Sequence, residues 1–251
     1  MIPKKIHYCW FGRNPMPRLA EKCINSWRKY CPDYELIEWN EDNFDLQSAP
    51  LYVRQAYEAK KWAFVTDYVR LCALYDQGGI YMDTDVEVVR SLDGFLKHEA
   101  FSSTEDGKHI SASIMGCVKG FPVFAEFRDT YDTMRFYRED GSMNLTTIVT
   151  LLTEFCIKRG YHEEDIYQEF DGLAIYPKEY FYPKDMNDIF FYRTKNTYTI
   201  HHFAGSWLTP EMRRAQRHEQ ILQLIIYVPK RILKRLLGKE RFIHFKKLFG
   251  R

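Results

Sequence analysis

The chain has 251 residues, of which 45% are hydrophobic, 28% charged and 16% aromatic. These fractions are typical of a folded globular protein and exclude a disordered chain, a collagen and a small disulfide-rich scaffold. The length is ample for burying a core, and no apolar run approaches the ~20 residues that cross a bilayer. We expect no signal peptide, because the start of the chain has only a short apolar stretch interrupted by His7.

The net charge of +2 conceals an asymmetry along the chain. Residues 227–251 contain nine lysines and arginines and one acidic residue, whereas the rest contains 27 basic and 33 acidic residues. An acidic body with a basic tail predicts that the tail meets an anionic surface. The six cysteines form no CxxC pair, which favours reduced thiols in a cytoplasm over disulfides or a zinc site.

Strand-like and helix-like segments alternate from the first residues onward. The patterns predict strands at 5–11, 34–39, 80–82, 86–89 and 198–203, and helices at 19–30, 51–75 (with a break near Lys60) and 144–158. The glycines at 78 and 79 end the second helix. This order predicts an α/β fold with a mainly parallel sheet. Ligands of such sheets bind at the carboxyl ends of the strands, where Trp10 and Asp83 lie.

The acidic triplet Asp83-Thr84-Asp85 follows a strand that is predicted to be buried. Two carboxylates at such a position can converge on one hard divalent cation, and Mg²⁺ and Mn²⁺ favour oxygen ligands completed by water and phosphate. The alternative is a solvated turn, since such triplets are common. The apolar context favours the cation, because an unpartnered buried charge is costly.

A charged pair interrupts an otherwise apolar helix. Asp67 and Arg70 lie three residues apart and share a helix face, and their neighbours are apolar nearly all round, as in a buried helix. One interpretation is an internal salt bridge. The other has Asp67 accepting hydrogen bonds from sugar hydroxyls while Arg70 faces a diphosphate.

A cluster of polar and aromatic residues follows the last predicted strand. Neutral imidazole from His201 or His202 can join a metal held by carboxylates, and the pattern does not choose between them. Ser206 offers a hydroxyl, and Trp207 offers an indole N–H and a flat wall. The alternative is that these residues belong to the core.

Three motifs together resemble glycosyltransferase family thirty-two, the DXD-containing sugar transferases that include bacterial capsule and lipooligosaccharide enzymes and fungal mannosyltransferases. The motifs are IPKKIHYCWFG from residue 2, FVTDYVR from residue 64 and GGIYMDTD from residue 78. The chain is more distantly similar to the glucosylating clostridial toxins. The close match covers residues 1–90, and the late cluster extends it to about 207.

This resemblance implies a GT-A fold, a nucleotide-sugar donor and Mn²⁺ or Mg²⁺. It implies that Trp10 stacks on the base, which would be uracil, and that Asp67 and Arg70 contact the donor sugar and phosphate. Tyr81 would line the nucleotide pocket, while Asp83 and Asp85 would bind the metal. Retention of anomeric configuration is implied as well.

The resemblance reaches later residues less fully. The stretch from His202 to Gly205 resembles the H-x-x-G metal motif of the family-eight transferases, which implies His202 as a ligand, with Ser206 and Trp207 near the phosphates. Asn144 is a candidate for the donor-sugar pocket, with a helix cap as the alternative. No carboxylate in the middle region is identifiable as a nucleophile.

The C-terminal residues predict an amphipathic basic helix. Lys230, Arg231, Lys234 and Arg235 share one helical face, and leucines and Ile232 occupy the other. We expect a catalytic domain over 1–215 and a membrane-association segment over 216–251, with a solvated or packed terminal helix as the alternative. Nucleic acid is not an expected partner, because no recognition motif accompanies the charge.

The predicted function is a metal-dependent, retaining hexose transfer from a nucleotide sugar, UDP-linked, to a glycan or lipid-linked glycan acceptor. The expected products are surface glycans such as capsule or lipooligosaccharide, made on the inner face of a bacterial membrane. The alternatives are a nucleotide-sugar hydrolase and a non-catalytic glycan- or membrane-binding module.

Overall fold

The computed structural model describes residues 1–184, 193–205, 208, 210–222 and 225. These residues fall into two compact units. The larger holds residues 1–183 and 193–205, and the smaller is represented by residues 184, 208, 210–222 and 225. The basic tail at 226–251, on which the membrane-association prediction depends, lies outside the described residues.

Nine strands and six helices are present in the described residues. The strands are β1 (Lys5–Cys9), β2 (Glu35–Trp39), β3 (Gly79–Met82), β4 (Val86–Val88), β5 (Ala100–Ser103), β6 (Ile114–Cys117), β7 (Gln168–Phe170), β8 (Leu173–Tyr176) and β9 (Thr199–His201). The helices are α1 (Arg18–Tyr30), α2 (Leu51–Glu58), α3 (Trp62–Gln77), α4 (Pro122–Asp129), α5 (Ile148–Ile157) and α6 (Pro210–Leu222). None of the helices in the described ranges is long and apolar enough to cross a membrane.

Seven strands form the central sheet in the order β2-β1-β3-β6-β5-β8-β7. The ladders β1–β2, β1–β3 and β5–β8 are parallel, and those of β6 with β3 and β5 and of β7 with β8 are antiparallel. Five strands therefore run in one direction, and β6 and β7 run in the other. The predicted α/β class, with a mainly parallel sheet and flanking helices, is confirmed.

The residues of β3 alternate between the two faces of this sheet, as strand geometry requires. Tyr81 packs in one apolar layer with Phe64 and Leu74 of α3, whereas Ile80 and Met82 pack in the other with the α1 side of the sheet. All four residues of β3 are buried. The strand that leads into the acidic triplet is thus fixed by packing on both faces.

A second, two-stranded ladder brings the late part of the chain to the triplet. β4 pairs antiparallel with β9, and Val86 lies opposite His201 in its register. Because β4 begins directly after Asp85, the imidazole that ends β9 is placed beside that carboxylate. The predicted late strand is therefore confirmed.

The helices agree with the sequence patterns except at one boundary. The predicted break near Lys60 separates α2 from α3, and Lys60 has a positive φ of 56°. The helix predicted from residue 144 begins only at Ile148. Thr147 caps it, since the Thr147 hydroxyl accepts a hydrogen bond from the Thr150 amide. Asn144 is therefore not the cap of this helix.

Gly79 is expected to be intolerant of a side chain. Its φ is +111°, and a Cβ there would lie 2.9 Å from the Lys5 carbonyl oxygen. We expect Gly79→Ala to lower the free energy of unfolding by about 3 kcal/mol, measured by urea denaturation, because strain and backbone crowding add. Gly120 is the matched control: its φ is +75° with open space around it, so Gly120→Ala should cost only about 1 kcal/mol. Equal losses of unfolding free energy in the two variants would contradict a backbone clash at Gly79.

Candidate active site

The guanidinium of Arg70 lies at the centre of the candidate site, 4% exposed. Its Nη2 donates to Asp67 Oδ1 over 2.9 Å, and its Nη1 donates to the Ala112 carbonyl over 2.6 Å. Nη1 also lies 3.4 Å from Asp83 Oδ1, and the guanidinium carbon lies 4.5 Å from the centre of the Tyr81 ring. One buried cation therefore connects α3, β3 and the segment before β6.

Asp67 is buried on α3, 6% exposed. Burial raises the pKa of its carboxyl to about 7, against the opposing charge of Arg70. Burial alone would lower the pKa of Arg70, but the charges of Asp83, Tyr81 and Asp67 outweigh it, so that the pKa rises. The guanidinium is a permanent charge, and Asp67 is poised to exchange a proton near neutral pH.

Asp83 follows β3 directly, and its carboxylate and backbone amide each have a hydrogen-bond partner. The Tyr81 hydroxyl donates to Asp83 Oδ1 over 2.8 Å, and the Asp83 amide donates to the Ser113 carbonyl over 2.8 Å. Burial raises the pKa of Asp83, although Arg70 opposes the shift. Tyr81, which was expected to line a pocket, is 1% exposed and orients Asp83.

Asp85 is held from the other side by the residues around the end of β9. The Ala204 amide donates to Asp85 Oδ2 over 2.7 Å, and His201 Nε2 lies 3.2 Å from Asp85 Oδ1. Burial would raise the pKa of Asp85, but the charge and hydrogen bond of His201 and the Ala204 amide outweigh it, and the pKa falls to about 2. Asp85 is therefore an anion at every physiological pH.

His201 has an unsatisfied atom that points to a missing partner. The residue is 8% exposed. Its Nδ1 is buried and has no hydrogen-bond partner among the described residues. Burial disfavours protonation of His201, but Asp85, Glu105 and Asp83 raise its pKa overall. A buried polar atom without a partner is costly, so this nitrogen favours a site that takes a further polar partner.

The side chains of Asp83, Asp85 and His201 form a set that suits a divalent cation. One potential ligand atom from each lies within 4.8 Å of the others. Two carboxylates and an imidazole are donors that Mn²⁺ accepts, and Mg²⁺ accepts the carboxylates. Their charge also fits, because two carboxylates attract a divalent cation. The residues present thus fit the metal that the resemblance implies.

The remaining site candidates are His202, Asn144, Trp10, Ser206 and Trp207. His202 does not join the set: its Nε2 lies 2.8 Å from Glu87 Oε2. The contacts recorded for Asn144 are with residues 136, 138 and 146, none of which belongs to the aspartate cluster. Trp10 follows β1, and its indole N–H donates to the Asn14 carbonyl. Ser206 and Trp207 lie outside the described residues.

Sequence reasoning missed the segment that joins these groups. Ser111, Ala112 and Ser113 precede β6, and each contacts a charged residue of the site: Ser111 with Glu105, Ala112 with Arg70, and Ser113 with Asp83. The signal in the sequence is the run SASIMG at 111–116, which is rich in small residues. Glu105 had no sequence signal, since its place depends on the sheet order.

Comparisons with known proteins match part of the chain. Residues 17–102 match a family model described as a glycosyltransferase sugar-binding region containing a DXD motif. The chain is 35% identical over 129 residues to inositol phosphoceramide mannosyltransferase 3 of Schizosaccharomyces pombe, covering 48% of this chain and 35% of that protein. It is 28% identical over 156 residues to mannosyl phosphorylinositol ceramide synthase CSH1 of Saccharomyces cerevisiae, covering 59% and 39%.

The chain therefore spans little more than a third of the length of these two relatives. Among solved structures, the PaToxG glycosyltransferase is similar over 62% of this chain and 69% of that one, with a TM-score of 0.48 and 18% identity. The DXD-containing glycosyltransferases are thus the class of protein that the matched region resembles. Within that region, the motif occupies Asp83 and Asp85.

The burial of Asp67 predicts a specific pH dependence of stability. Its pKa is raised from 3.8 to about 7 in the folded state, so the folded protein binds this proton more tightly than the unfolded chain. The free energy of unfolding should therefore fall as pH rises from about 4 to 7, with a contribution from Asp67 on the order of 3 kcal/mol. We expect urea denaturation in EDTA to show a shallower fall for Asp67→Asn. Identical slopes for the two proteins would refute the assignment.

Proposed function

We propose that this protein is a metal-dependent glycosyltransferase of the GT-A type that moves a hexose from a nucleotide sugar to a glycan or lipid-linked acceptor. The observation that carries the proposal is the set formed by Asp83, Asp85 and His201, with its buried, unpartnered imidazole nitrogen. Two of the three residues are the aspartates of the matched DXD region. The imidazole of His201 takes the role that the sequence left open between His201 and His202.

The charges around the set support a ligand that combines a cation with a diphosphate. A divalent cation held by Asp83, Asp85 and His201 would act as a Lewis acid that neutralises the leaving diphosphate. Arg70 is a fixed donor beside Asp83, held in position by Asp67 and the Ala112 carbonyl. Donors that are oriented before the reaction stabilise developing charge without reorganisation.

We propose retention of configuration by attack on the same face of the sugar. The acceptor hydroxyl bonds to the anomeric carbon as the bond from that carbon to the phosphate oxygen breaks, and the hydroxyl proton passes to the departing phosphate. Asp67 and Arg70 would orient the donor sugar and phosphate in this scheme. Trapping of a glycosyl-enzyme adduct would overturn it.

The donor and acceptor are assigned by class. A uridine diphosphate hexose is the proposed donor, with Trp10 against the base. The relatives named as mannosyltransferases of inositol phosphoceramide favour a lipid-linked acceptor, which agrees with a surface glycan assembled at a membrane. We place the enzyme in the cytoplasm, peripheral on the inner face of a bacterial membrane, through its basic tail.

Two other functions would use the same groups. A nucleotide-sugar hydrolase would turn over the donor at the same rate with and without an acceptor. A non-catalytic glycan- or membrane-binding module would show no metal dependence. The buried Asp67 and Arg70 and the half-buried Asp83 favour an enzyme, because a decayed site would have no constraint to keep charges in an apolar helix.

The ligand set predicts which substitutions abolish metal-dependent turnover. A panel of nucleotide sugars assayed with Mn²⁺ should identify a donor, and EDTA should abolish its turnover. We expect Asp83→Asn and Asp85→Asn each to lower kcat by about a hundredfold or more. Turnover that survives both substitutions and EDTA would overturn the proposal.

The two histidines provide a matched pair. We expect His201→Ala to weaken Mn²⁺ binding in the presence of UDP by about tenfold or more, measured by titration calorimetry, because the imidazole beside Asp85 is lost. His202→Ala should leave the affinity within about twofold, because His202 lies beside Glu87. The reverse pattern would assign the ligand to His202.

The basic tail predicts binding to anionic membranes. Deletion of residues 228–251 should release the protein from phosphatidylserine-containing vesicles in a sedimentation assay, because each basic residue near anionic lipid contributes about 1 kcal/mol. Hydrolysis of the donor should be unchanged. Vesicles of neutral lipid and high salt are the controls, and equal binding by the full-length and shortened proteins would contradict the proposed role.

A further inference from the structure

Glu105 lies at the same edge of the sheet as the acidic triplet, although 20 residues separate it from Asp85 in the chain. β5 pairs antiparallel with β6, which pairs antiparallel with β3, so β3 and β5 run in the same direction. Asp83 is the first residue after β3, and Glu105 is the second after β5. Both carboxylates therefore follow the carboxyl ends of parallel strands, where ligands bind.

A short segment ties Glu105 to the cluster around Arg70. The Ser111 hydroxyl donates to Glu105 Oε2 over 3.1 Å. The next carbonyl, that of Ala112, accepts from Arg70, and the Ser113 carbonyl accepts from the Asp83 amide. Three consecutive residues thus connect the Glu105 carboxylate to the guanidinium and to the first aspartate of the triplet.

The carboxylate of Glu105 is oriented but is not part of the metal set. Its Oε2 is held by Ser111, and the hydrogen bonds described here leave Oε1 available to a ligand. Within the described residues, the atoms that approach one another closely enough to share a cation come from Asp83, Asp85 and His201, without Glu105. Burial raises the pKa of Glu105, and the charge of His201 opposes that shift.

The strand order indicates which part of a nucleotide-sugar donor would lie near Glu105. Trp10 follows β1 on one side of β3, and Glu105 follows β5 on the other side, beyond β6. Two strand spacings, about 10 Å, separate β3 from β5. A nucleotide sugar is linear: nucleoside, diphosphate, sugar. With the nucleoside at β1 and the diphosphate at the triplet after β3, the sugar extends toward β5.

We propose that Glu105 accepts hydrogen bonds from hydroxyl groups of the donor sugar and so selects and orients the hexose. This inference rests on the proposed function, because it takes the ligand to be a nucleotide sugar. Hydrogen bonds from neutral hydroxyls to a carboxylate are among the stronger ones in proteins. The Ser111 hydroxyl positions the carboxylate without touching the substrate.

The test compares ligands with and without the sugar on the full chain. Titration calorimetry with Mn²⁺ would measure the affinities of UDP, UDP-glucose, GDP and GDP-mannose for wild type, Glu105→Gln and Asp106→Asn. Asp106 is the matched control, because it is the exposed neighbour whose carboxylate bonds within its own loop. Glu105→Gln retains the shape and the acceptor for Ser111, and its melting temperature should not fall, because it removes a carboxylate that burial disfavours.

We expect Glu105→Gln to weaken the binding of the nucleotide sugar by about tenfold, which equals 1.4 kcal/mol. The affinity for the free nucleoside diphosphate should stay within about twofold of wild type. Asp106→Asn should change neither of these two affinities. Equal weakening of both ligands would assign Glu105 to the metal or phosphate and overturn the inference, as would unchanged donor affinity with a loss only in the acceptor-dependent rate. If wild type binds no nucleoside diphosphate with Mn²⁺, the proposed function fails first, and this inference with it.

Discussion

The buried charge of Arg70 is the constraint on which the site depends. Its guanidinium reaches Asp67 on its own helix, the Ala112 carbonyl and the carboxylate of Asp83. A cation at such depth is stable only while each of these acceptors is in place. One side chain therefore fixes α3, the end of β3 and the segment before β6 relative to one another. The position of Asp83 depends on this arrangement.

The parts of this arrangement that lie close in sequence were predictable. The apolar surroundings of Asp67 and Arg70, and the glycines before Asp83, predicted a buried helix and a strand ending in carboxylates. The choice between His201 and His202 was not predictable, because it depends on the pairing of β9 with β4 across more than a hundred residues. That register turns the first imidazole toward Asp85 and leaves the second beside Glu87. The position of Glu105 was not predictable for the same reason, since only the strand order places it at the same edge of the sheet as Asp83.

The electrostatic state of the site follows from burial acting on several carboxyl groups at once. Burial raises the pKa of Asp67 and Asp83, whereas His201 and the Ala204 amide hold that of Asp85 low. Neighbouring acids thus differ sharply in proton affinity. Asp85 is therefore a carboxylate anion, whereas burial favours the protonated forms of Asp67 and Asp83.

The β4–β9 ladder also sets the order in which the site is completed during synthesis. The ribosome delivers the aspartates more than a hundred residues before the strand that carries His201, and at 5–20 residues per second this interval is on the order of ten seconds. A nascent chain that has folded through β6 holds its acidic pair without the imidazole and the Ala204 amide. The set formed by Asp83, Asp85 and His201 is therefore complete only after the last strand of the larger unit has joined.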